Sequence, residues 1–296
     1  MGVKTERRER SGKRTLHRAD RRMAGTPRTT FHQHPPRASR AALPSGTLAP
    51  MDREAQRTLH QEMARWAAPF ARPVFFGNQR DAPGRLDVSS GTATLLQLGG
   101  RFIGVTCQHV VAAYRRRKRT GTADFFHFGD ASIDPDEVLI DESERLDLIT
   151  FDLSRVVDKT PMLAVGNFYV PRQWPPHDVS EHDVITFLGF PGVWRDQTTQ
   201  THFNFYHLGH GATSIDAIGE EHICSRIMFE ESTHLVRNKQ VLTSAGGLSG
   251  APVFVWRTGT ILTAELIGFI YEHQPGFDLL YIRRANRIEV TGKLLK

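Results

Sequence analysis

The sequence predicts an all-β chain of antiparallel barrels, preceded by an N-terminal helix and a disordered basic tail. Two observations carry this expectation. From Val74 onward, short apolar stretches rich in Val, Ile, Phe and Thr are separated by Gly, Pro, Asn and Asp, which is how strands and turns read. The stretches follow one another too closely for βαβ units, so a parallel sheet is not expected.

Residues 1–50 are rich in Arg, Pro, Thr and Ser and have no periodicity, so they bury too little surface to order themselves. They hold 12 Lys/Arg against 3 Asp/Glu, a net of +9, within a chain whose formal charge is +6; the remaining 246 residues therefore carry −3. The basicity belongs to the arm. A solvated, dispensable arm, or an overlong start whose true initiator is Met51, is preferred to nucleic-acid contact by residues 1–50. Residues 51–71 read as an amphipathic helix, with Asp52 as cap and Leu59, Met63 and Trp66 on one face that packs on the barrels. Pro69 and Pro73 end it.

Thr92–Leu98 and Arg101–Thr106 flank Gly99–Gly100, a favoured two-residue hairpin turn. Val110–Tyr114 reads as a short turn, and the cations Arg115–Arg119 as a solvated helix end or loop rather than an anion site. Asp124–Phe128, Glu137–Ile140 and Arg145–Leu153 follow as strands. Pro161–Val179, interrupted by Pro171, Pro175 and Pro176, is a linker. Val184–Leu188, Thr198–Phe205, Ile223–Phe229, Val241–Thr243, Val253–Trp256, Leu262–Tyr271 and Leu279–Ile282 supply further strands, and Ala285–Lys296 a short terminal helix.

A hydrophobic content of 39% with 18 Phe is enough for a sizeable core, in one two-lobed domain or two small ones. No apolar run approaches the ~20 residues of a membrane span. No charged start followed by an apolar segment is seen, so no secretory signal is expected. The two cysteines, Cys107 and Cys224, make no disulfide framework and point to a reducing interior, so the cytoplasm is the expected compartment.

Chemistry concentrates at Ala245-Gly246-Gly247-Leu248-Ser249-Gly250-Ala251-Pro252-Val253. Glycines around a lone serine give a tight turn that another molecule can approach, and such a turn can aim backbone N–H groups at one spot. A plain β-turn is the competing reading. A serine nucleophile needs a base, and the base an orienting carboxylate. His109 closes the apolar strand Gly104–Thr106, and Asp147 opens the strand Leu148–Phe151; Asp141 and Asp152 compete with it. Cys107, two residues from His109, is read as a packed thiol. His207-x-x-His210 has metal-pair spacing but no nearby Cys and no acidic third ligand, so no metal is expected.

Thr106-x-x-His109-Val110, Asp147-Leu148-Ile149-Thr150-Phe151, Gly189-Phe190-Pro191-Gly192 and Gly247-Leu248-Ser249-Gly250-Ala251-Pro252, in that order, resemble the trypsin-like (chymotrypsin-fold) serine peptidases. The similarity is greatest to the bacterial, disulfide-free, HtrA-like branch and covers roughly residues 72–290. The resemblance implies two six-stranded barrels: an N-terminal lobe over 72–160, a linker over 161–180, a C-terminal lobe over 181–290 and a tail at 291–296. It implies a serine endopeptidase acting on polypeptides through an acyl-enzyme without a cofactor, with His109, Asp147 and Ser249 as the triad. Asp147 is chosen over Asp141 and Asp152 because its flanking residues match the family frame. The N–H groups of Gly247 and Ser249 would form the oxyanion hole, and Thr243, Tyr271 and His273 would line the substrate pocket. The alternative is a catalytically silent binding module of the same fold.

Three departures from the family pattern stand out. Gln108 is larger than the usual small residue. Thr243 is not an aspartate, so a preference for Arg or Lys is not implied. Leu248 stands where secreted members have an aspartate that pairs with an ammonium freed on activation, so that switch is not expected and Leu248 is read as an apolar anchor. No regulatory domain is read after the resembling region, so an HtrA-style peptide-binding appendage is not expected.

Overall fold

Alternation along single strands builds this molecule, because successive residues of several strands enter different cores. The structure, a computed structural model, describes residues 52–78, 87–198, 202–227, 229, 242 and 245–296. These belong to one compact unit, residues 46–296. The helices are α1 (Arg53–Ala67) and α2 (Gln108–Arg119). In chain order the strands are β1 (Ala71–Gly77), β2 (Ser89–Leu98), β3 (Arg101–Thr106), β4 (Phe125–Phe128), β5 (Ala131–Ser132), β6 (Leu139–Ser143), β7 (Leu148–Asp152), β8 (Val184–Gly189), β9 (Arg195–Gln197), β10 (Phe203–Phe205), β11 (Leu208–Ser214), β12 (Ala217–Ile218), β13 (His222–Arg226), β14 (Pro252–Arg257), β15 (Thr263–Gln274) and β16 (Leu279–Arg284).

Two curled, antiparallel, seven-stranded sheets form a double barrel of the chymotrypsin-like kind. The first has the order β5-β4-β1-β2-β3-β7-β6 and the second β11-β8-β14-β15-β16-β13-β12. Each is six strands plus a two-residue edge strand, β5 or β12, which accounts for the difference from the expected six. A separate hairpin pairs β9 with β10.

On β2, Ala93 and Leu95 enter the first barrel's core, while Leu96 and Leu98 enter a cluster between the lobes. On β14, Val253 and Val255 enter the second core and Phe254 the shared cluster. Side chains of a strand alternate between faces, so a strand buried on both faces reads as an unbroken apolar run. Tyr169, in the linker, joins the shared cluster and pairs with Leu96. Asp52 caps α1 through Ala55 N–H (2.7 Å), and Met63, Ala64 and Ala67 bury its inner face. Trp66 meets Phe70, Phe254 and Trp256 edge-on at 5.1, 5.1 and 5.4 Å, contacts worth about 0.5–1.5 kcal/mol each beyond their buried area.

Several expected elements differ. The turn expected at Val110–Tyr114 is part of α2, a helix that runs on through Arg119; Ala and Arg are strong helix formers, and the charges hid the continuity. The cations are mostly held by their own chain. Arg115 pairs with Asp136 and Glu142 (both 2.6 Å), Arg117 with Asp87 (3.2 Å) and Lys118 with Asp134 (2.9 Å). The expected terminal helix is one 3-10 turn, Ala285–Arg287. Beyond it the backbone bonds to the first sheet instead, Gly292 O accepting from Thr150 Oγ1 (2.7 Å) and Leu294 N–H donating to Asp141 (3.0 Å). The strand read at Ile223–Phe229 ends at Arg226; of that read at Thr198–Phe205, Phe203–Phe205 is a strand and residues 199–201 lie outside the described residues. Residues 1–50, and Val241 and Thr243 of one expected strand, lie outside the described residues. Among the described residues, no helix is long and apolar enough to cross a membrane.

Candidate active site

β3 ends at Thr106, Cys107 caps α2, and His109 stands in the first turn of that helix. Cys107 is fully buried and its thiol donates to Ile270 O (3.3 Å). Burial, and after it the neighbouring Asp147, pushes that thiol well above its ordinary value, so it stays a neutral packed group. Asp147 closes a turn through its N–H to Glu144 O (3.1 Å), with a left-handed φ of 50°. Asp is one of the few residues with a side chain that tolerates this region. There it reaches His109 twice: Oδ2 meets Nδ1 at 2.7 Å, and Oδ1 accepts the His109 backbone N–H at 2.9 Å. An ionised carboxylate only accepts, so Nδ1 carries the proton and Nε2 is left as an acceptor on the half-exposed ring. The two competing aspartates are engaged elsewhere. Asp141 holds Leu294 N–H and Lys296, and Asp152 holds Ser154 N–H.

The serine turn is organised through its carbonyls. Gly246 O accepts from Gly192 N–H (2.9 Å), Leu248 O from Ala251 N–H (2.8 Å) and Ser249 O from Thr92 N–H (2.9 Å). Gly247 O accepts from Thr92 Oγ1 (2.7 Å) and Gly250 O from Thr94 Oγ1 (2.9 Å). In a trans peptide the C=O and the following N–H point opposite ways. Anchoring the carbonyls of Gly246 and Leu248 therefore turns the N–H groups of Gly247 and Ser249 the other way, and neither donates to a described residue. Glycine is required twice. At Gly247 (φ 95°) a Cβ would lie 2.4 Å from Gly192 N, and at Gly250 (φ 91°) 2.1 Å from Thr92 O.

Ser249 and His109 line one cleft of about 360 Å³ with Ala245, Gly246 and the segment Ile270–His273. Of the expected residues, His109, Ser249, Tyr271 and His273 line this cleft; Asp147 joins it through His109, and Gly247 belongs to the turn between Gly246 and Ser249; Thr243 lies outside the described residues. His273 takes a weak bond from Ala245 N–H at its Nδ1 (3.4 Å) and meets Phe229 edge-on. Burial lowers its pKa, which favours the neutral ring. A larger groove of about 690 Å³ is lined by Phe75, His127, Phe203 and Phe205 among others and, among the described residues, by no serine or cysteine.

Cys107, His109 and Asp147 offer donor atoms within 4.8 Å of one another. The neutral, carbonyl-bonded thiol and the closed Nδ1–Oδ2 contact make this a hydrogen-bonded set rather than a fitting metal site. His210 of the His-x-x-His pair is a buried strand residue stacked on Phe187 (5.4 Å). The residues that the sequence did not reveal are Thr92 and Thr94; Thr106 was noted only as part of the frame before His109, not for the bond it makes. Their signal was weak: threonine is a common strand residue, and only full burial on β2 and β3 marks these as bonded.

No family model and no curated protein matches the chain. Among solved structures it is similar to a thermostable serine protease, AL20, from an extremophilic microorganism, at 12% identity and a TM-score of 0.39 over 73% of this chain and 91% of that one. It is similar to tobacco vein mottling virus protease at 11% identity and 0.38 over 73% and 78%. Catalytically active tobacco etch virus protease complexed with product gives 10% and 0.38 over 74% and 75%. Likeness this distant bears on no individual residue.

Proposed function

We propose that the chain is a serine endopeptidase. The observation that carries this reading is His109, held twice by Asp147, lining one cleft with Ser249 of a turn whose two free N–H groups face away from their anchored carbonyls. His109 Nε2 takes the Ser249 proton as Oγ attacks the substrate carbonyl. The displaced electron pair settles on the oxygen, held by the N–H groups of Gly247 and Ser249, each worth roughly 2.7–4 kcal/mol to the transition state. The imidazolium, stabilised by Asp147, returns the proton to the leaving amine as the C–N bond breaks. Water then repeats the sequence on the acyl-enzyme, releasing the acid and free Ser249. Tyr271 and His273, with Thr243, form the substrate pocket, and the substrate is a polypeptide. The branch is the disulfide-free, HtrA-like one; both cysteines are free, as suits a reducing cytoplasm.

A fluorophosphonate tests this. It should label Ser249 alone, and Ser249→Ala or His109→Ala should remove labelling and casein hydrolysis with the fold retained. Labelling that survives Ser249→Ala overturns the assignment. A second reading, a silent peptide-binding double barrel, rests on Ser249 Oγ making no hydrogen bond to His109 among the described residues. A folded parent chain that never reacts with the probe would favour it.

A further inference from the structure

We propose that Thr92 is a positioning residue for catalysis: its hydroxyl, reaching across from the first barrel, holds the middle peptide of the serine turn and keeps the N–H groups of Gly247 and Ser249 aimed into the cleft. The proposal deepens the serine-peptidase reading and rests on it.

Thr92 lies on β2 opposite Pro73 of β1 and is fully buried. Four hydrogen bonds converge on it. Its N–H donates to Ser249 O (2.9 Å) and its carbonyl accepts from Thr106 Oγ1 (2.6 Å). Its hydroxyl donates to Gly247 O (2.7 Å) and accepts from Phe190 N–H (2.9 Å). A hydroxyl has one proton and spare lone pairs, so one oxygen can do both. The β-branched side chain is stiff at χ1, which suits a fixed strut.

The peptide joining Gly247 to Leu248 lies between the two free N–H groups. It is pinned at its oxygen by Thr92 and at its nitrogen by Ala245 O (2.9 Å). Losing these bonds would free ψ of Gly247 and φ of Leu248, the torsions next to both N–H groups, and let the turn around them relax. Gly247 has no side chain to oppose that rotation, so the resistance has to come from a bond. The same hydroxyl holds Phe190, two residues before the Gly192 N–H that anchors Gly246 O. One side chain of the first lobe therefore braces both segments that shape the turn in the second.

The test compares Thr92→Val, which keeps the shape and loses the hydroxyl, with Thr92→Ser, which keeps the hydroxyl. Melting temperature, the fluorophosphonate rate constant per folded molecule and the acylation burst with p-nitrophenyl acetate are measured for each. Thr92→Val should slow acylation and labelling on the order of 10- to 100-fold at nearly unchanged ester affinity, and Thr92→Ser should stay within about threefold of the parent. If Thr92→Val does not fold, Thr92→Ala carries the same comparison. A valine or alanine variant that melts lower but reacts at the parental rate, or a serine variant as slow as the valine one, overturns the proposal. A parent chain inert to the probe would instead overturn the peptidase reading.

Discussion

Asp147 holds His109 at two points, its Oδ2 2.7 Å from the ring Nδ1 and its Oδ1 2.9 Å from the backbone nitrogen. The first contact sets the tautomer and the second sets where the first turn of α2 places the ring. Asp147→Asn should retain the backbone bond and the left-handed φ, which Asn tolerates, yet lose turnover by about 10⁴-fold because the amide does not enforce the tautomer. Asp147→Ala should lose activity and also melt lower than Asp147→Asn, since alanine disfavours φ 50°. Equal melting temperatures for the two variants would contradict this account.

The opposite gain, an unwanted side chain, is tested at Gly247. Gly247→Ala places a Cβ 2.4 Å from Gly192 N and 2.6 Å from Phe190 O, backbone atoms with little room to move. The turn must rotate, so acylation by p-nitrophenyl acetate should fall about 10²–10³-fold, the loss expected for one oxyanion donor. A normal burst from this variant would show that Gly247 N–H is not used.

The candidates His109, Asp147 and Ser249 could be singled out because each lies close to a strongly apolar strand, β3, β7 or β14, and, for Asp147 against Asp152 of the same strand, because of the resembling frame Leu148–Phe151. The double barrel was legible for the same reason, as short apolar runs separated by turns. What stayed hidden depends on contacts distant in sequence. Thr92 meets Gly247 and Phe190 only after the lobes pack, and nothing local to Ser89–Leu98 announces it. The extent of α2 was obscured by Arg115–Arg119, whose partners Asp134, Asp136 and Glu142 come from later strands and turns.

Acid should loosen the docking of α1 through His210. Burial, together with His60 of α1 across the contact, lowers the His210 pKa to about 4, and a backbone bond to Ala212 opposes the shift. Burial also lowers the pKa of His60 itself. A histidine with a depressed folded value binds its proton more readily when unfolded. Its neutral burial therefore contributes fully above the unfolded value of about 6.5, and stability is lost as pH falls from there toward 4. The His210 shift corresponds to about 3 kcal/mol. Urea unfolding across this range should show that loss, and His210→Phe, which keeps the stack on Phe187, should reduce it, the remainder coming from the other burial-lowered histidines such as His60 and His207. An acid slope unchanged in His210→Phe would assign the effect elsewhere.

On the proposed peptidase reading, the residue before Ser249 bears on how the site would become active. Leu248 is fully buried in the second core, and its Cδ2 lies 2.7 Å from where a Cβ on Gly189 would stand. In secreted members of the family that this sequence resembles, an aspartate at this point pairs with an ammonium released by cleavage. Leucine offers that ammonium no partner, and burying it unpaired would cost several kcal/mol. The turn is held instead by Leu248 packing and by the bonds from Gly192, Thr92 and Thr94. The full-length, uncut chain should therefore react with a fluorophosphonate, seen as a single mass addition to the intact chain. Leu248→Ala should lower stability by about 2–5 kcal/mol, and Leu248→Asp should prevent folding rather than create a switch. Labelling that occurs only after removal of an N-terminal segment, with the new terminus buried beside the turn, would overturn this view of activation.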